Sequence, residues 1–397
     1  MKTKNANIEL IRIVAMLFVV IHHYFRHGGG TVWPDFGTIE YIVYWCIDAF
    51  VFVCVNLFVL VSGYCLVTTE FKLSRIVRLW VEVEFYSVVC TLICKFLGNE
   101  ISVSQLLKSA IPFTTEAYWY VTAYAILLCF CPFINKLLDC LSKQQYIALI
   151  AAINIICVIL PTVLVWERDL ITTGMDYEWL IPLYIIGGYI RKFGIPCGKN
   201  KALVGYVLCS LITGLVRVPL GLVSNRIVGS YVLSGLFFRY NSITVVMASV
   251  FLFWFLLNLN IGNDRLKRAI IWFGPLTFAV YLIHDNSNVR NILWKTLPME
   301  QLYAGGIMMY LGGLIVIAPT IFVACCAIEK SRIQIFNLIG IQKFLHKWDL
   351  LFDEIAQFRD GCKYADCLHF HEDGCNVLAH LSQIDETRYD SYLAFVE

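Results

Sequence analysis

Ten apolar runs recur along this chain, each closed by charged or turn residues, at 7–25, 43–67, 76–97, 118–134, 145–165, 177–191, 202–220, 240–259, 268–285 and 303–328. Most approach the roughly 20 residues with which an α-helix crosses a bilayer. Hydrocarbon offers a backbone N–H or C=O no partner, so such segments fold as helices that satisfy their own amides. The expected fold class is therefore all-α: a polytopic membrane protein of about ten transmembrane helices. Composition agrees, with 59% hydrophobic and 15% charged residues over 397 positions, where soluble chains carry about 25% charge. The first run is too long for a secretory signal and lacks a small-residue cleavage site, so it is expected to stay as the first helix.

The net charge of +2 averages two unlike parts. From Leu345 to Glu397 four basic residues stand against eleven acidic ones, a net of −7, which leaves +9 on the rest. The expected domains are a membrane body (1–335), a linker (336–350) and an acidic cytoplasmic tail (351–397). In the body, one set of alternate loops carries sixteen Lys and Arg. The other carries seven, among them Arg26, Lys108, Arg290 and Lys295. The positive-inside rule then puts both termini in the cytoplasm. Thirteen of the 16 cysteines lie in the body and read as small buried hydrophobes.

The first run, IELIRIVAMLFVVIHHYF, holds Glu9, Arg12, His22 and His23. An ionisable side chain inside a spanning helix costs about 2.5–3.5 kcal/mol and normally faces the bundle interior or a wet cavity. At about 100° per residue, His23 falls within about 20° of the Arg12 face, whereas His22 lies about 80° away. Glu9, Arg12 and His23 thus form one stripe, with about 16 Å of rise between Arg12 and His23. The plain alternative is that Arg12 snorkels to the cytoplasmic surface and the histidines sit at the outer interface.

E-x-x-R at Glu9–Arg12, R-x10-H at Arg12–His23, NLFVLVSGY at Asn56–Tyr64, RIVRLW at Arg75–Trp80, WYVTAY at Trp119–Tyr124 and FAVYLIH at Phe278–His284 follow in order. Together they resemble the membrane-bound acyltransferase family 3, over about residues 5–330. RIVRLW departs from that family in lacking the proline that often follows the arginine pair. The resemblance implies an integral bacterial plasma-membrane enzyme that moves an acyl group, usually acetyl from acetyl-CoA, to a hydroxyl of a cell-surface carbohydrate. His23 fits as the proton acceptor or acyl carrier, since imidazole titrates near neutral pH. Arg12 fits as an orienting cation for donor phosphates or for a developing oxyanion, with Glu9 holding it. Arg75 and Arg78, three apart at a cytoplasmic helix end, suit the phosphates of coenzyme A, or serve as positive-inside anchors. Trp119, Tyr281 and His284 are expected on the acceptor side. Glu82 and Glu84 have no assigned role.

In the tail, CKYADCLHFHEDGC sets Cys362, Cys367, His369 and Cys375 as C-x4-C-x-H-x5-C. Three thiolates and one imidazole complete the tetrahedral set of structural zinc, and a cytoplasmic location disfavours disulfides. His371 and His380 are spare candidates for the fourth ligand. FDEIAQF, this cysteine segment and IDETRYDSYLAFVE resemble the C-terminal zinc module of the ribosome-small-subunit-dependent GTPases, with Asp373 where that family commonly has proline. The resemblance implies a ribosome or RNA partner, against which the −7 charge weighs. No G-x-x-x-x-G-K-[ST] occurs in the chain, so no GTP binding is expected. Two rivals remain at this level: a transporter or flippase using the buried charges as a relay, and a membrane anchor for a zinc module.

Overall fold

The computed structural model describes residues 5–28, 34–69, 71–115, 117–163, 174–341, 357–358, 361–364, 367, 369, 373–384 and 389, and no strand occurs among them. Residues 342–350 of the expected linker and much of the expected tail, His371 included, lie outside the described residues. The chain divides into two compact units, Met1–Phe71 with Glu82–Lys330, and Lys72–Val81 with Ser331–Glu397.

Each of the ten apolar runs is mainly helical over its described residues. The first is α1 (Ala6–His23), continued by a π-helical turn, Tyr24–Gly28. The second is split into α2 (Ile39–Val51) and α3 (Cys54–Leu66). Then come α4 (Leu73–Phe96), a short α5 (Val103–Ser109), α6 (Trp119–Asp139), and α7 (Lys143–Asn154) continued through a π-helical turn into α8 (Leu160–Val163). They are followed by α9 (Tyr177–Phe193), α10 (Lys199–Leu215), α11 (Arg217–Val228) and α12 (Ile243–Leu257). The ninth run spans α13 (Asp264–Phe273) and α14 (Thr277–His284), and after α15 (Ser287–Thr296) and α16 (Met299–Ala304) the long α17 (Ile307–Leu338) forms the tenth. Among the described residues, seven helical segments are long and apolar enough to cross a membrane. The other three runs are α4, which carries Arg75, Arg78, Glu82, Glu84 and Lys95, and the shorter α9 and α12.

Besides the parting of α10 and α11 at Val216, two runs are interrupted where sequence periodicity gave no warning. α2 and α3 part at Phe52–Val53, and a 3-10 turn, Gly274–Leu276, with Pro275 at its start, separates α13 from α14. Phe52, Val53 and Leu276 are all buried. At membrane depth, non-α backbone persists only where protein rather than lipid surrounds it. Both breaks lie beside the site described below.

Glycine lets α3 and α9 approach backbone to backbone. A methyl at Gly63 would stand 2.1 Å from the Tyr184 carbonyl oxygen, and one at Gly187 would stand 2.5 Å from that of Leu60. Small residues serve this purpose between spanning helices, where no hydrophobic effect drives association. Asn56, fully buried on α3, locks the same region. Its amide donates to the Tyr240 carbonyl (2.9 Å) and to Ser249 Oγ (3.1 Å), and its carbonyl accepts from Trp179 Nε1 (3.1 Å). Gly63→Ala is expected to cost about 1–3 kcal/mol by overpacking. A lowered Tm in detergent, with Gly312→Ala, in open space on α17, as control, checks it; equal melting of the two variants refutes the close approach.

Candidate functional site

His22 and His23 are adjacent at the end of α1, so the helix turns them toward different partners. His22 Nδ1 lies 2.6 Å from Asp48 Oδ1 on α2, and Asp48 is fully buried. His23 Nδ1 lies 2.9 Å from His284 Nε2 on α14. The hydrogen bonds fix the tautomers. His284 Nδ1 faces the Val280 carbonyl, which only accepts, so that nitrogen carries the proton and Nε2 accepts. His23 Nδ1–H therefore donates to His284, which leaves His23 Nε2 with a bare lone pair in the neutral ring. The carboxylate of Asp48 fixes His22 in the same tautomer.

Asp285, next to His284, extends the cluster. Its Oδ1 is 3.6 Å from His23 Nδ1, 3.7 Å from His27 Nε2 and 3.2 Å from an Arg290 NH1 donor. His23, His27 and Asp285 offer three potential metal-ligand atoms within 4.8 Å of one another. Arg290 already sets a fixed cation on the same Asp285 oxygen, so the group fits a hydrogen-bonded ion cluster better than a metal site.

Both histidines line a cavity of about 40 Å³. Trp119, Tyr120, Tyr240, Tyr281 and Phe58 supply aromatic walls, and Cys54 and Val55, at the start of α3 after its break, complete one side. Tyr281 is buried, and its hydroxyl has no hydrogen-bond partner among the described residues. So His23, Trp119 and Tyr281 meet at one cavity, and His284 stands behind His23 as its hydrogen-bond partner.

Arg12 is elsewhere. Its NH1 donates to Glu9 Oε1 at 3.1 Å, as the i,i+3 spacing anticipates, and the eleven helical residues to His23 keep it from the cavity lining. Glu9 is buried against Gly274, where an added Cβ would meet Glu9 Oε2 at 2.2 Å. Arg75 and Arg78 lie in the first turns of α4, in the second unit, with Arg78 exposed. Two buried acids escaped the sequence analysis. Asp48 stands inside an apolar run, a signal that was open to reading. Glu329, which accepts from Tyr86 Oη at 2.6 Å, sits at the far end of α17, where only the fold reveals burial.

The four tail ligands predicted from sequence do converge. Cys362 Sγ is 3.5 Å from His369 Nδ1 and 3.9 Å from Cys375 Sγ, and Cys375 Sγ is 3.4 Å from His369 Nδ1. With Zn–S about 2.3 Å and Zn–N about 2.0 Å, a tetrahedral site has edges of about 3.5–3.8 Å, so the donor set fits the ion. Backbone N–H groups of Asn376 and Leu378, at the start of α18 (Asn376–Ala379), point to the sulfurs of Cys362 and Cys375. His369 has φ +60°, a left-handed value that a non-glycine residue holds only when its surroundings fix it. Tyr389 Oη helps by donating to its carbonyl at 2.7 Å. Val377 and Ile384 pack beneath with Cys375.

In its C-terminal region the chain is similar to proteins named small ribosomal subunit biogenesis GTPase RsgA. That of Leuconostoc citreum is 45% identical over 51 residues, 12% of this chain and 17% of the relative. That of Phocaeicola vulgatus is 31% identical over 150 residues, 35% and 45% of the two chains. That of Porphyromonas gingivalis is 46% identical over 48 residues, 12% and 15%. The chain thus spans less than half the length of these relatives. No solved structure matches it. The family model described as an acyltransferase domain matches residues 5–329, the whole of the helical body that carries the histidine cavity, and the chain therefore belongs to acyltransferase family 3 and is a multi-pass membrane acyltransferase.

Proposed function

We propose that this enzyme moves an acetyl group from acetyl-CoA to a hydroxyl of a cell-surface carbohydrate in the bacterial plasma membrane, with both termini cytoplasmic. The bare Nε2 of His23 carries this reading. In the proposed step His23 Nε2 takes the proton of the sugar hydroxyl as its oxygen bonds to the thioester carbon. The C–S bond then breaks, and the imidazolium returns the proton to the departing thiolate. His284, anchored to Val280, holds the ring in the tautomer that keeps Nε2 free. Tyr281, with its unpartnered hydroxyl on the cavity, is the donor best placed for the developing oxyanion. The cavity's 40 Å³ supports a short acyl group, since about 10–15 Å³ of such space holds one water.

Arg12, about 16 Å of helix below His23, suits the phosphates of a long donor whose thioester reaches the cavity, rather than the oxyanion. Arg75 and Arg78 are proposed as further contacts to coenzyme A from the cytoplasm, and Trp119 as an acceptor-side wall. His22 with Asp48 favours a second assignment within the same reaction, because a His–Asp pair on the same cavity is equally a base with a fixed tautomer. Membranes carrying His23→Ala or His22→Ala, given radiolabelled acetyl-CoA, decide between them. His23→Ala is expected to lower label on surface glycan by about 10²–10⁴-fold, with His22→Ala much milder. The reverse order transfers the role to His22, and label unchanged in both ends the histidine mechanism.

For the tail, a cytoplasmic module from about residue 351, we propose structural zinc on Cys362, Cys367, His369 and Cys375. The ion would tie together a segment whose own apolar core is small. A ribosome or RNA partner rests on the relatives' name alone, and the acidic charge gives no electrostatic hold on phosphate. GTP binding has no supporting motif. The purified full chain is expected to carry one zinc by elemental analysis, and Cys367→Ala to lose it while transfer continues. Metal retained after Cys367→Ala refutes this ligand set.

A further inference from the structure

A second cavity, of about 310 Å³, lies between α4, α5, the segment before α6 and the start of α15. Its lining is more polar than that of the aromatic cavity. Of its described lining residues all but Ala117 are polar and none is acidic; they include Thr91, Gln105, Tyr118, Asn288 and two cations, Lys108 and Arg290. The walls are fixed by their own hydrogen bonds. Asn288 Nδ2 donates to Thr91 Oγ1 (3.1 Å), Asn286 Nδ2 to Tyr118 Oη (2.9 Å), and Tyr118 Oη to the Leu282 carbonyl (2.9 Å). Hydroxyl and amide groups in this density match the hydroxyls of a sugar.

The cations add a constraint. Lys108 and Arg290 belong to the loop set poor in Lys and Arg, where topology gives no reason to place positive charge. Arg290 is engaged by Asp285, whereas Lys108 is exposed and has no ion-pair partner among the described residues. Asp285 in turn reaches His23, so Arg290 connects the cleft to the proposed base.

We infer that this cleft binds the acceptor through a negative charge: a carbohydrate bearing a carboxylate or a phosphate, seated on Lys108 and Arg290 with its accepting hydroxyl toward the histidines. Ammonium and guanidinium groups both form short charge-assisted bonds to these anions. The inference rests on the acyl-transfer reading and names its acceptor class.

The test uses the full chain in phosphatidylcholine nanodiscs without donor. Binding is measured for a glucuronate-containing tetrasaccharide, a phosphate-bearing one and a neutral one of equal length. At least one charged sugar is expected to bind about tenfold tighter than the neutral one, and the tighter of the two identifies the anion. Lys108→Gln should erase that preference, Lys108→Arg should retain it, and Lys295→Gln, on the same loop set but outside the cleft, should leave it intact. Equal affinity for charged and neutral sugars, binding of none, or a preference that survives Lys108→Gln and Arg290→Gln together overturns the proposal. So does a preference that disappears when phosphatidylglycerol is added, because a lipid headgroup is then the occupant. Transfer assays separate the two levels. Charge-selective binding without acetyl transfer sinks the acyltransfer reading and keeps the cleft, whereas transfer to charged and neutral glycans at equal rates does the opposite.

Discussion

A ring N–H set among spanning helices calls for a partner within the protein, and the contact between His23 and His284 supplies one. It joins the end of the first span to the end of the ninth, 261 residues away in sequence. Both are odd-numbered among the ten apolar runs, and the bond places their ends side by side. From this one bond follow the tautomer of His23, the approach of Asp285 and the link through Arg290 to the polar cleft. At the other end of the same pair, Glu9 lies against Gly274, and the missing side chain there lets α1 run close to the turn that precedes α14.

The interruptions in the helices belong to the same design. The break between α2 and α3 brings Cys54 and Val55 to the cavity while leaving Asp48 on the preceding helix for His22. The 3-10 turn before α14 comes one helix length before His284. Asn56, Gly63 and Gly187 hold α3, α9 and α12 so closely that these irregular segments stay sheltered from lipid. Stability and chemistry thus draw on one set of residues: the NLFVLVSGY segment supplies both a polar lock, through Asn56, and a cavity wall, through Phe58.

The tail is a separate physical problem. Among its described residues few apolar side chains pack together, and a metal on the Cys/His cluster would compensate where a core cannot. Its likeness to the RsgA proteins is confined to a fraction of their length.

The helical class was legible in sequence because hydrocarbon permits few alternatives, and each of the ten apolar runs is mainly helical over its described residues. The clustering of the four tail donors was legible because short spacing leaves them little freedom. The stripe argument found His23 and the Arg12–Glu9 pair, since helical geometry is local. Partners contributed by distant spans were decided only by tertiary structure. His284, expected on the acceptor side, bonds the ring of His23 and so fixes its tautomer; Asp48, overlooked inside its apolar run, does the same for His22. Packing alone gathered Thr91, Lys108 and Arg290, from α4, α5 and α15, around one cleft. A sequence states which groups are costly to bury; the fold decides which of them meet.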